Sequence, residues 1–114
     1  MPYIKEQNRV GLDLCIENMV ECLKHNVIPN LNNPNSNPYK DLTQEELLTI
    51  IGDINYCFSR VATAVMGNVT YGKIALITGV LENIKQEFYR RVAEPYENMK
   101  IAQNGDIKEY KKLK

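Results

Sequence analysis

The sequence predicts an all-α protein, with three main helices in a bundle-like domain and a short C-terminal hairpin or fourth helix, associating with copies of itself. Three observations carry this. Apolar residues recur at steps of three and four through three long segments, the spacing of a single helix face. Stretches rich in Asn, Pro and Gly separate those segments, and these residues favour turns over regular structure. The third segment holds Ile74, Ile77, Leu81, Ile84 and Phe88. Their steps of 3, 4, 3 and 4 are the seam of a coiled coil.

With 114 residues the chain suffices for one domain, residues 1–114. A chain this short buries a modest core, and self-association can cover more of its apolar surface. Hydrophobic residues make up 44% and charged residues 25%, ordinary values for a soluble globular protein. The net charge of zero argues against a coat for DNA or RNA and against a membrane-surface binder. The charge is unevenly placed, however. Residues 1–57 carry 4 Lys+Arg against 8 Asp+Glu, whereas residues 58–114 carry 10 against 6, giving −4 and +4. Such polarity suits head-to-tail pairing or an anion held by the basic half, and it also arises when solvated faces differ without function. No apolar run reaches the ~20 residues that span a bilayer. The start, M-P-Y-I-K-E-Q, has no basic stretch followed by an apolar run, so no signal peptide is expected and the cytoplasm is the expected location. Cys15, Cys22 and Cys57 form no C-x-x-C pair, and they are expected as buried free thiols in a reducing compartment, with no metal site and no cofactor.

Taken in order, residues 1–7 are expected to be extended, with Tyr3 and Ile4 packed on the body of the domain or on a neighbour. The first helix is expected from Asn8, its N-cap, to Lys24, burying Leu12, Cys15, Ile16, Met19, Cys22 and Leu23. His25 has no catalytic partner near it in sequence. Residues 26–41, dominated by Asn and Pro, are expected as a surface loop in which Tyr39 either anchors the loop or closes over a ligand. The second helix opens on the capping box Thr43-Gln44-Glu45-Glu46 and is expected to reach Met66, burying Leu47, Ile50, Ile51, Ile54, Cys57, Phe58, Val61 and Val65. Gly52 within it either permits a close helix approach or splits the segment in two. Gly67 to Gly72 connects to the third helix, expected from Lys73 to Ala93. Glu87–Arg91 and Arg90–Glu94 stand as i,i+4 pairs on it. Pro95 lacks an amide and crowds the Arg91 carbonyl, so the helix is expected to end or kink there. Beyond it, Asn104-Gly105 is either a hairpin turn or the end of one more helix. Residues 108–114 are expected to be frayed.

Signatures of familiar enzymes are absent. The sequence has no G-x-S-x-G, no H-E-x-x-H, no Walker loop and no G-x-G-x-x-G. With a single His, acid–base chemistry would fall to carboxylates or lysines, and no pair stands out. Binding without catalysis is therefore the expected class. Tyr89, Arg90, Arg91, Tyr96, Lys100 and Asn104 fall within sixteen residues, with Asn55 and Tyr56 as further candidates. Arg forks match phosphate or carboxylate, Tyr rings stack on a base, and Asn reads a base edge or a ribose hydroxyl. A small nucleotide-like anion is the ligand such a set suits. The same residues also fit a plain structural role, with the arginines paired to Glu87 and Glu94 and the tyrosines covering the core.

The start M-P-Y-I-K, the middle G-D-I-N-Y (Gly52 to Tyr56) and the run G-V-L-E-N-I-K-Q-E-F-Y-R-R-V-A-E-P-Y-E-N-M-K-I-A-Q-N-G-D (Gly79 to Asp106) resemble a family of small phage and bacterial proteins of unknown function. This sequence departs from the family pattern at Asn83, where a small residue or Cys is expected, and at Asn98, where Asp is usual. The resemblance carries no assigned chemistry. It implies phage provenance, and small phage proteins include sponges that sequester cyclic nucleotides or ADP-ribose derivatives used as bacterial immune signals. Such anti-defense sequestration is the first expected function, by analogy of size and origin. A helical interaction module that inhibits or adapts a host or phage protein is the alternative. A small hydrolase or lyase of unfamiliar type is the third.

Overall fold

The computed structural model of the protein describes residues 2–27 and 41–113. Most of the expected Asn/Pro loop, with Tyr39, lies outside the described residues. The chain divides into two compact units, Tyr3–Val69 and a second from Thr70 onward. Every regular element among the described residues is helical, so the all-α expectation holds.

In the first unit, a 3-10 turn at Glu6–Asn8 leads into α1, Val10–His25. Arg9, not Asn8, occupies the N-cap position, and it makes no side-chain cap. Instead its Nε donates to the Ile4 carbonyl at 2.8 Å, which ties the extended leading residues to the start of α1. Lys24 and His25 fill the last turn, where the helix dipole favours positive charge. Just past the helix, Asn26 Nδ2 donates to Asp53 Oδ2 at 2.9 Å.

The second expected helix is two, α2 (Gln44–Thr49) and α3 (Ile51–Met66). The capping box forms as expected: Thr43 Oγ1 accepts from the Glu46 amide at 3.2 Å, and Glu46 Oε1 accepts from the Thr43 amide at 3.0 Å. The break falls at Ile50, at φ −109 and ψ 8, and not at Gly52. Its cause is local. The Thr49 hydroxyl donates to the Glu46 carbonyl at 2.6 Å, and the Ile50 amide closes a tight turn on the Leu47 carbonyl at 3.1 Å. Side-chain bonds of this kind compete with the helix ladder and bend it. Gly52 meets no close neighbour, since a Cβ there would have nothing within 4 Å. Gly52→Ala is therefore expected to stabilise the protein, by up to about 1 kcal/mol in denaturant titration; a loss of stability would reveal a neighbour against α3.

The second unit begins with Thr70, whose Oγ1 accepts from the Lys73 amide at 3.1 Å and caps α4, Tyr71–Phe88. Helix does not stop at Pro95. It passes through a π turn, Tyr89–Ala93, into α5, Glu94–Asn104. The Glu94 amide donates to the Tyr89 carbonyl five residues back. Pro95 has no amide to give, so the last donor before it takes the wider bond, and one extra residue is accommodated in that turn. Gly105 ends α5 at φ 87, with its amide on the Ile101 carbonyl at 2.8 Å. The tail is thus helix with a Gly terminator, and the hairpin alternative is excluded. The Asp106 carboxylate accepts from the Ile107 amide at 2.8 Å. A single turn, α6 (Lys108–Lys111), follows where fraying was expected.

The principal correction concerns burial. Among the described residues Ile50, 2% exposed, is the one buried hydrophobic side chain. Leu12 and Ile16 of the expected α1 stripe are 54% and 56% exposed, and Phe58 and Val65 of α3 are 59% and 77% exposed. Tyr3 and Ile4 are exposed as well. Cys15 and Cys22 are exposed and Cys57 is intermediate, so the expected buried thiols are not buried. Helical periodicity specifies which face requires cover; it does not specify what provides it.

Candidate functional site

The continuous helix formed by α4, the π turn and α5 carries six of the eight sequence-selected residues. Consecutive residues of an α-helix point about 100° apart. Tyr89, Arg90 and Arg91 therefore radiate to three different sides and do not converge on one point. Arg90 turns back one turn, donating from Nε to Glu87 Oε1 at 2.8 Å and from Nη2 to Glu87 Oε2 at 3.1 Å. This two-pronged pair neutralises the guanidinium locally, as the structural alternative expected, although with Glu87 as the partner in place of Glu94.

Tyr89 meets Glu97, a residue the sequence did not single out. Its hydroxyl lies 3.0 Å from Glu97 Oε2 and 3.3 Å from Oε1. Eight residues of a regular α-helix overshoot two turns by about 80°. The additional residue in the π turn absorbs that excess, so the two side chains lie along one line. No sequence pattern at i,i+8 announces such a pair; only the π turn creates it. The carboxylate's hydrogen bond and its negative charge, in that order, raise the Tyr89 phenol above its ordinary value of 10.0. Tyr89 is thus expected to ionise above the ordinary tyrosine range when its own ring resonances are followed through an alkaline titration. Glu97→Gln should bring it back towards its ordinary value. The sign follows from the raised folded value: any stability this bond supplies is intact below the ordinary tyrosine range and is lost as pH rises through the raised one.

Tyr96, Lys100 and Asn104 follow at steps of four on a shared face of α5, and Lys100 Nζ sits 5.6 Å from the centre of the Tyr96 ring. An open hollow on the flank of the helix is lined by Glu82, Lys85, Gln86, Phe88, Tyr89 and Ala93. Asn55 and Tyr56 belong to the other unit. There the Arg60 guanidinium lies 6.0 Å from the Tyr56 ring centre, beside a second open hollow reaching Ser59, Thr63 and Ala64. The i,i+4 spacing of Tyr56 and Arg60 was visible in the sequence, and Arg60 was not selected from it.

Among the described residues no group of three or more His, Cys, Asp and Glu side chains could hold a metal ion. No helix among them is long and apolar enough to cross a membrane. No curated protein and no solved structure matches the chain. A family model does match it, over residues 1–107, and so includes the start, middle and tail motifs on which the sequence resemblance rests. The chain belongs to the family described as Domain of unknown function (DUF6899).

Proposed function

We propose that the protein acts by association, as a helical interaction module whose apolar faces are covered by another polypeptide when it works. One observation carries this: the faces that periodicity marks for burial are open to water. Along α4 and beyond, Leu81, Ile84, Phe88, Val92 and Tyr96 are between 50% and 64% exposed. Contiguous exposed apolar surface of this kind marks interaction sites. If folding and association are coupled in this way, the thermal unfolding midpoint rises with protein concentration. A midpoint unchanged over a hundredfold dilution, in a protein that also co-purifies with no other polypeptide, would count against the proposal.

Capture of a nucleotide-derived anion, such as an ADP-ribose derivative or a cyclic nucleotide serving as an immune signal, is the second reading. The observation in its favour is the Lys100–Tyr96 pair, which presents a cation beside an aromatic ring with Asn104 on the same face. A thermal-shift panel of ADP-ribose and cyclic dinucleotides tests it. A ligand held at a hundred times its Kd adds about 2.7 kcal/mol of stability. Lys100→Glu should remove that gain, and silence across the panel would end this reading.

A further inference from the structure

The apolar face of the α4–π–α5 helix has a property that bears on the identity of its partner. Its seam runs Ile74, Ile77, Leu81, Ile84, Phe88, Val92 and Tyr96. A regular α-helix would bring Pro95 onto the seam after Val92, at the next step of 3 to 4. The π turn at Tyr89–Ala93 adds one residue, so Tyr96 takes that place. The completed seam reads almost the same from both ends. Outward from Ile84, Leu81 balances Phe88, Ile77 balances Val92, and Ile74 balances Tyr96.

We infer that the occupant of this face is a second copy of the chain, packed antiparallel about a two-fold axis close to Ile84. The inference rests on the association proposed above and gives the partner its identity. An isologous contact places the same patch on both subunits and so requires a face that matches its own reversal; a foreign partner imposes no such symmetry. The flanking charges agree. Glu82 and Lys85 are three residues apart beside the seam, and antiparallel pairing about Ile84 sets Glu82 within one residue's rise of Lys85 of the partner subunit, twice per dimer, against a single approach of the two Lys85 copies at the axis. Within one chain the two make a long contact of 3.9 Å with side chains 53% and 78% exposed, and Glu82 Oε1 also accepts from Gln86 Nε2 at 3.3 Å; bonds this exposed contribute little, so exchanging them costs little. A standard interface takes about 800 Å² from each partner, and the seam offers six large side chains towards it, Ile74, Leu81, Ile84, Phe88, Val92 and Tyr96, between 43% and 64% exposed.

Register is tested by disulfide mapping in the full chain with Cys15→Ser, Cys22→Ser and Cys57→Ala. Ile77→Cys and Val92→Cys are introduced in separate chains and oxidised alone and mixed. The mixture is expected to form a 77–92 cross-link, while neither chain cross-links with itself. Self-linking of each single variant would mean a parallel pair, and no cross-link in a sample of dimeric mass would mean another face; either overturns the inference and leaves the association proposal standing. A folded monomer would overturn the inference, and one that also co-purifies with no other polypeptide would overturn the association proposal with it. A second test avoids the cysteine-replaced background. Glu82→Lys makes a chain with Lys at both flank positions, and Lys85→Glu makes one with Glu at both. Each alone is expected to dissociate on the order of fivefold more readily, and mixing the two should restore the parental affinity as a heterodimer. Neither chain regains its internal pair on mixing, so failure to restore affinity would overturn the register.

Discussion

Ile84→Asp is expected to dissociate the protein and to remove most of its helical signal. Ile84 lies at the centre of the seam and is 54% exposed in a single chain. In the antiparallel pair it faces its own copy, so the substitution sets two carboxylates against each other in an apolar contact. Burying an ionised carboxylate without a partner costs several kcal/mol even after relaxation. Each 1.4 kcal/mol is tenfold in affinity, so the dissociation constant should rise by at least about a hundredfold. Helix would be lost with it, because isolated helices in water are marginal without tertiary packing. Ala75→Glu is the control, placing a charge on α4 away from the seam and near the helix start, where a carboxylate is favoured. It should leave mass and ellipticity unchanged. Ile84→Asp chains that associate like the parent would show that this face is not the one covered.

The second large effect concerns phase. An alanine inserted between Asn83 and Ile84 rotates everything beyond it by about 100°. Ile74, Ile77 and Leu81 then no longer share a face with Ile84, Phe88 and Val92, and association should fall as far as with Ile84→Asp. Deleting Ala93 together with Pro95→Ala should do the opposite. It removes the extra residue of the π turn and the proline that favours it, leaving a regular α-helix in which Tyr96 still follows Val92 on the seam. Assembly should persist, with a thermal midpoint at or above that of the parent because the helix no longer carries a proline. Loss of assembly in the deletion variant would show that the π turn itself, and not the phase it sets, is required.

The sequence was legible where the determinants are local. The Thr43 capping box formed as written, because its two hydrogen bonds involve residues three apart. Gly105 ended its helix at positive φ, as a glycine after Asn104 allows. The break at Ile50 was displaced by two residues from Gly52, since it depends on a Thr49 hydroxyl and not on backbone freedom. Pro95 predicts an end or a kink; the helix does not end there but widens one turn and continues, with the Glu94 amide on the Tyr89 carbonyl five residues back. The candidate site fared least well in detail. Tyr89, Arg90 and Arg91 are adjacent in sequence and therefore diverge on a helix. The Tyr89–Glu97 bond depends on a π turn that no spacing rule anticipates. Burial was the least legible property, because the apolar period is the same whether the cover comes from the same chain or from another.

Sedimentation equilibrium of the unmodified full chain bears on all of this at once. The chain mass is 13.1 kDa. The expected result is a reversible species of twice that mass which loses helix as it dissociates on dilution. A single 13.1 kDa species, helical and cooperatively folded at every concentration, would contradict the proposal that the exposed faces are covered by a second chain.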